Sequence, residues 1–350
     1  MTVIDSDTHV VEDAMIWDYV PKTDVAYKPV LMTADEDSHL AYSSGGRQFW
    51  LIDGRLFGRG GQPGPMYAEG TRTLGDPAAR VADMGRYGHD IQVIYPSLFL
   101  NLWCKDVAAE RAAVRAYNRW MADVCAPFDG RLRWVALPVV RDSEASLAEM
   151  EFGRDHGACG VMLRGYEGDR SLDDPGLDAL YAKACDLDMP VCIHIGNGSP
   201  SYGAIANSKS GQRNVLGNSM PTLIAFAALT LSDIPSRFPG LRIGFIEAAS
   251  EWVPYAVSRC RKMLSHYGIR DTTETLFADN RFYVTCEPHE DVNYVATVTG
   301  PENLLIGTDY GHADTSTELE APRLLRERKD LSANLTTGIV HANAKRFYAL

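Results

Sequence analysis

The sequence predicts an α/β protein, a (β/α)8 barrel of the TIM type with a β-hairpin region inserted after its first strand. Three observations predict it. Eight short apolar or β-branched runs are spaced along the chain, segments with helical periodicity lie between them, and a Tyr-, Gly- and Asp-rich stretch after the first run breaks the alternation. Strands separated by amphipathic helices are the mark of βαβ units. An open doubly wound sheet gives much the same pattern, so alternation alone leaves both architectures standing.

The runs occupy residues 3–4, 91–95, 134–137, 160–163, 190–194, 242–247, 282–285 and 304–308. Between them, residues 107–125 place Val114, Tyr117, Trp120, Met121 and Val124 at three- and four-residue spacing, which predicts one apolar helix face. Asp142-Ser143-Glu144 reads as a helix start and Ser232-Asp233 as a helix end. In the insertion, residues 17–76, Ser43-Ser44-Gly45-Gly46 stands between Leu40-Ala41-Tyr42 and Phe49-Trp50-Leu51-Ile52, which predicts a hairpin. Residues 196–221, full of Gly, Ser and Asn, predict a long loop of the kind that is usually functional. We expect one domain over residues 1–350, with 17–76 inserted in it.

Composition allows this. The 350 residues are 45% hydrophobic and 23% charged, enough to build a large core. The 34 Lys and Arg against 46 Asp and Glu give a net charge of -12, which repels phosphate backbones and anionic membranes. The expected partner is therefore a small-molecule substrate, not nucleic acid or membrane. Cysteines at 104, 125, 159, 185, 192, 260 and 286 are odd in number and form no CxxC pair, as expected of thiols in a reducing compartment. With no apolar run approaching 18 residues and no basic-then-apolar leader, a cytoplasmic location is expected.

The chemistry gathers at strand ends. Asp7 and His9 alternate onto one side of an extended segment and can reach one ion. His194 ends the fifth run and Asp309 follows the eighth, each where a buried strand emerges at the barrel's active face. Each residue alone has an ordinary structural explanation, but three strands delivering N or O donors to the same end point to a metal. Imidazole and carboxylate without thiolate suit zinc, manganese or iron in a catalytic site, not a structural zinc.

The same residues carry a resemblance. Asp7-Thr8-His9-Val10-Val11-Glu12, His194 and Gly307-Thr308-Asp309-Tyr310-Gly311-His312 resemble the strand 1, 5 and 8 motifs of the amidohydrolase superfamily. Arg80-Val81-Ala82-Asp83-Met84, Asp90 to Pro96, Ala116 to Trp120 and Asn343 to Tyr348 are similar to the branch containing aminocarboxymuconate-semialdehyde decarboxylase and the aromatic-acid decarboxylases. The resemblance spans nearly the whole chain. It implies a distorted barrel, an essential divalent ion, zinc first with manganese or iron as alternatives, and a homodimer or larger oligomer, one that could include a related subunit.

One departure is informative. That branch commonly places a His on strand 6, where this chain has Glu247-Ala248-Ala249-Ser250-Glu251-Trp252. Glu247 is the expected replacement, as a base or a ligand, with Glu251 its rival for proton transfer. Glu12 and His312 add donors, so Asp7, His9, Glu12, His194, Glu247, Asp309 and His312 exceed one ion's shell and allow two ions, unless the extra pair orients the others. Arg164, after strand 4, could clamp a substrate carboxylate or pair with Glu167 or Asp169. Trp252, with Trp103, Tyr166 and the Phe49-Trp50 pair, could wall a pocket for a flat substrate or simply pack. The leading expectation is metal-assisted hydrolysis with Glu247 or Asp309 as base. The alternatives are non-oxidative decarboxylation of a small aromatic or unsaturated acid, oxidation at a dinuclear iron or manganese-iron centre, and an inactive supporting subunit.

Overall fold

In a computed structural model, residues 2–35, 46–59, 66–206, 213–269 and 273–350 are described. Strand β1 (Ile4–Val10) opens the chain, and every one of its residues is buried. A three-stranded antiparallel sheet follows, β2 (Val30–Thr33), β3 (Gln48–Ile52) and β4 (Arg55–Gly58). The remaining strands are β5 (Ile91–Pro96), β6 (Leu132–Ala136), β7 (Ala158–Arg164), β8 (Val191–His194), β9 (Ile243–Ile246), β10 (Phe282–Cys286) and β11 (Leu304–Ile306). With β1 they make one eight-stranded sheet in the order β1-β5-β6-β7-β8-β9-β10-β11, parallel at each pairing. Helices α1 (Pro77–Tyr87), α2 (Val107–Cys125), α3 (Ser143–Asp155), α4 (Asp178–Asp186), α5 (Met220–Leu231), α6 (Val253–Tyr267), α7 (Val292–Thr299) and α8 (Ala321–Glu327) intervene. This is the (β/α)8 barrel, and the doubly wound alternative falls away.

The barrel closes through the segment after β11. Thr308 and Asp309 donate backbone N–H groups to the Asp7 carbonyl at 3.2 and 2.9 Å, and His9 N–H donates to the Tyr310 carbonyl at 2.6 Å. Beneath this seam the Asp5 carboxyl takes the Thr308 N–H (3.0 Å) and hydroxyl (2.5 Å). The seam thus brings together the same segments that carry Asp7, His9 and Asp309.

Local chemistry explains the elements. Asp106 accepts from Ala108 N–H to start α2, and Asp142 from Ala145 N–H to start α3. Asp76 caps α1 ahead of Pro77, and Gly88 ends it at φ 75°. On α2, Val114, Tyr117, Trp120 and Met121 are buried as the periodicity requires. Ser232 ends α5.

Two expectations change. Phe49 to Ile52 does form a sheet, but β3 pairs with β2 on one side and with β4 on the other. The tight turn is Asp53-Gly54, both at positive φ, the pair that two-residue hairpins favour. The expected Leu40-Ala41-Tyr42 strand and the Ser43 to Gly45 turn lie outside the described residues. The stretch 196–221 is also less of a loop than its composition suggests. It holds a helix at Pro200–Ala206 and a helical turn at Arg213–Ser219, with 207–212 outside the described residues.

Candidate metal centre

Four side chains meet where β1, β8 and β9 end. The Nε2 atoms of His9 and His194 lie 3.1 Å from Glu247 Oε2, and at 3.4 and 3.2 Å respectively from Asp7 Oδ1. Asp309 Oδ1 is 3.6 Å from His9 Nε2 and 2.8 Å from His312 Nδ1. Asp7, His9, His194 and Glu247 form one group within metal-binding distance, and His9, Glu247, Asp309 and His312 form an overlapping one.

Hydrogen bonds decide which way the imidazoles point their lone pairs. His9 Nδ1 donates to the Pro96 carbonyl at 3.1 Å, and His194 Nδ1 to the Ile195 carbonyl at 3.0 Å. A carbonyl can only accept, so in the neutral imidazoles both Nε2 lone pairs face carboxylate oxygens. His312 follows the same logic. The Ser97 hydroxyl donates to the Val10 carbonyl (2.9 Å) and so accepts from His312 Nε2 (2.7 Å). His312 Nδ1 then faces Asp309 with a lone pair, unless it carries a second proton. Acceptors turned on acceptors at these distances require protons or a cation between them, and imidazole with carboxylate fits zinc, manganese or iron. The donor set fits the ion that the sequence implied.

The electrostatics agree. Burial disfavours the charged imidazole of His194, but hydrogen bonds to Asp7 and Glu247 outweigh it and hold its pKa up at about 9. His9 is likewise raised, burial being overcome by the same two carboxylates. Burial would raise Glu247, yet His194 and His9 pull it well below the usual carboxylate range. Asp309 goes the other way, pushed up to about 6 by burial and by the Glu247 charge. The ligand-bearing backbone is strained, with Glu247 at φ 63° and Asp309 at φ 53°, left-handed positions that side-chain-bearing residues seldom adopt.

Other candidates fall elsewhere. Glu12 is buried, but its carboxylate accepts the N–H groups of Ser97 (3.1 Å) and Leu98 (2.8 Å). It lies outside both donor groups and fixes the backbone whose Ser97 hydroxyl holds His312. Burial pushes it up to about 7. Glu251 is exposed and does not line the cavity over the cluster. Trp252 packs edge-on to Phe226 and Phe245 and donates to the Ala249 carbonyl, a core role. Arg164 gives Nε and Nη2 to Glu167 (3.1 and 2.6 Å) and Nη1 to the Phe99 and Leu102 carbonyls, leaving no fork for a substrate carboxylate. Trp50 is buried against Trp17. Tyr166 packs against Tyr202 near the mouth.

A solvent-open cavity of about 530 Å³ lies over the cluster, lined by Ile195, Asn218, Glu247, Glu287, Asp314 and Ser316 among others. It adjoins a recess of about 260 Å³ lined by Asp7, Thr285, Gly307 and Asp309 as well. Among the described residues, no Lys or Arg lines either. Sequence reasoning missed three residues here. The Ser316 hydroxyl donates to Glu247 Oε1 (3.1 Å) and the Thr317 hydroxyl to Asp309 Oδ2 (2.7 Å), orienting both carboxylates. No pattern in the sequence marked either hydroxyl. Glu287 did have a signal, because it directly follows β10, as Glu247 follows β9.

A parallel (β/α)8 barrel with imidazole and carboxylate donors converging at its C-terminal mouth is the arrangement that metal-dependent enzymes of this fold use. The chain belongs to the amidohydrolase family, whose model matches residues 4–350. A curated relative, the decarboxylase orsB of Emericella nidulans, is 27% identical over 227 residues, 61% of this chain and 65% of the relative; the match thus spans about two thirds of that protein's length. Among solved structures, the amidohydrolase map2389c of Mycobacterium avium subsp. paratuberculosis superposes with a TM-score of 0.81 at 18% identity, covering 100% of this chain and 98% of that one. The 5-carboxyvanillate decarboxylase of Novosphingobium aromaticivorans, complexed with manganese and 4-hydroxy-3-methoxy-5-nitrobenzoic acid, superposes with a TM-score of 0.71 at 19% identity, covering 100% and 96%. Among the described residues, no helix is long and apolar enough to cross a membrane.

Proposed function

We propose that this chain is a metal-dependent decarboxylase acting on a small aromatic or unsaturated acid, in place of the hydrolase that the sequence led us to expect first. The observation that carries the proposal is the position of Glu247. Its Oε2 lies 3.1 Å from both His9 and His194, inside the donor cluster, so it does not stand free as the base that water attack needs. Decarboxylation asks for less, namely a cation to hold substrate oxygens and an acid to protonate carbon. The decarboxylases among the relatives support this reading.

Asp7, His9, His194, Glu247 and Asp309 would hold the ion, with His312 beside Asp309. A divalent ion bound there supplies electrostatic stabilisation of substrate oxygens. Ser316 and Thr317 keep the Glu247 and Asp309 carboxylates turned toward the centre. The solvent-open cavity above the cluster is where a small acid would meet the ion. Hydrolysis is the second reading, favoured by Asp309, a buried carboxylate at the edge of the donor cluster that could take a proton from an attacking water.

Elemental analysis of protein purified without added metal is the first test. One ion of zinc or manganese per chain fits either reading, two ions rich in iron would favour oxygen chemistry, and none would favour an inactive subunit. Metal-loaded protein is then offered hydroxylated benzoic acids, with amides and lactones as the contrast. Release of carbon dioxide, lost with the ion in His194→Ala and Asp309→Ala, is the expected result; cleavage of the amides or lactones alone would overturn the proposal in favour of hydrolysis.

A further inference from the structure

Among the described residues, the cavity walls carry two acids outside the donor cluster, Glu287 and Asp314. Glu287 directly follows β10 and lines both the recess beside Asp7, Glu247 and Asp309 and the wider cavity above it. Its neighbours on those walls are engaged. Glu247 is taken by His9, His194 and Ser316, Asp309 by His312 and Thr317, and Asp314 by the Ser316 N–H. Among the described residues, the Glu287 carboxyl meets no hydrogen-bonding partner.

Its backbone is nevertheless held firmly. Glu287 N–H donates to Glu290 Oε2 at 2.7 Å, and the same buried Glu290 carboxylate accepts from Ser250 N–H, the Ser250 hydroxyl and Glu251 N–H. One side chain thus ties the turn after β10 to the turn after β9, fixing Glu287 relative to Glu247. A free carboxyl on a fixed backbone, facing the space where substrate must lie, is what a proton donor requires.

We propose that Glu287 is the acid that protonates the substrate carbon as carbon dioxide leaves, an assignment that rests on the decarboxylase reading above. The Glu287 O–H bond breaks and its proton bonds to the ring carbon bearing the carboxylate, using a ring π pair. The carbon–carboxylate bond then breaks, its electron pair restores the ring, and carbon dioxide departs. Glu287, now a carboxylate, takes a proton back from solvent at the open mouth. One acid anion and one proton give the decarboxylated ring and one carbon dioxide.

Burial, with the charges of Glu290 in its own loop and of Glu251 and Glu247 after β9, pushes Glu287 up to about 7. Asp314, on the loop after β11, lines the same cavity. A neutral acid here also spares an anionic substrate one more repulsion.

The test uses manganese-loaded protein and 5-carboxyvanillate with related hydroxybenzoic acids as probes. Glu287→Gln is expected to lower kcat by about 10²–10⁴-fold, the usual worth of a general acid. Metal stoichiometry, KM and binding of the unreactive 4-hydroxy-3-methoxy-5-nitrobenzoic acid should stay at wild-type values. Glu287→Asp, which keeps a proton to give, should recover part of the rate and guards against misfolding of the first variant. A Glu287→Gln rate close to wild type would overturn the assignment and leave the decarboxylase reading intact. Loss of the ion in Glu287→Gln would overturn it by making the carboxyl a ligand. No carbon dioxide from any probe with the wild type would sink both.

Discussion

Replacing Gly307 by alanine adds one methyl group at the point where β11 passes the metal centre. A Cβ on Gly307 would lie 2.3 Å from Asp7 Cβ and 3.3 Å from its Cγ and Oδ2, whereas ordinary contact begins at 3.4 Å. The obstructing atom is rooted in β1, so it cannot rotate aside, and the two segments must part by ~1 Å to restore ordinary contact. Metal–ligand distances tolerate only about 0.2 Å. Gly307→Ala should therefore cost Asp7 as a ligand and lower affinity for zinc or manganese by at least ~10²-fold, or about 2.7 kcal/mol. Overpacking should destabilise the fold by about 1–3 kcal/mol, leaving the barrel formed. Chelator competition measures the first effect and thermal unfolding with and without chelator the second. Affinity within threefold of wild type would refute the reasoning, because Asp7 would then either not be a ligand or be free to move.

Two further outcomes follow from the same groups. In chelated protein the melting temperature should fall as pH rises from about 6.5 to 9. His194, raised from 6.5 to about 9, contributes stability below pH 6.5 that is lost as pH climbs through 9, and buried Asp5 and Glu12, raised to about 8 and 7, also favour the folded state less as pH rises. A flat melting profile across that window would contradict the assigned contacts. Glu167→Gln should destabilise by about 3 kcal/mol in urea unfolding at unchanged metal content, since it leaves the largely buried Arg164 guanidinium short of its charge partner; a loss under about 1 kcal/mol would mean that water reaches the pair.

How far the sequence could be read depended on how local the determining physics was. Asp142 and Ser232 act on their own helices through the nearest backbone groups, so composition was enough to place them. Asp7, His9, His194 and Asp309 were legible because strand alternation and strand ends set direction without reference to the rest of the fold. Arg164 was not. Its choice between substrate and Glu167 turns on the carbonyls of Phe99 and Leu102, more than sixty residues away in the chain. The β2 partner of β3 was hidden likewise, because fifteen or more residues separate the paired positions. Glu287 obeyed the strand-end rule but sat behind Cys286, outside the strand 1, 5 and 8 motifs that carried the reading.

The closing seam sets a timetable for metal capture. Asp5 and Thr308, hydrogen-bonded beneath the cluster, are 303 residues apart in the chain. During synthesis from the N-terminus at roughly 5–20 residues per second, Asp7 and His9 wait ~15–60 s before Asp309 exists. Until then β1 has an unpaired edge, and its two donors can offer only a weak, open chelate. The complete ligand set therefore comes into being at the same moment as the finished barrel, and a tightly held ion reports that the last strand has found the first.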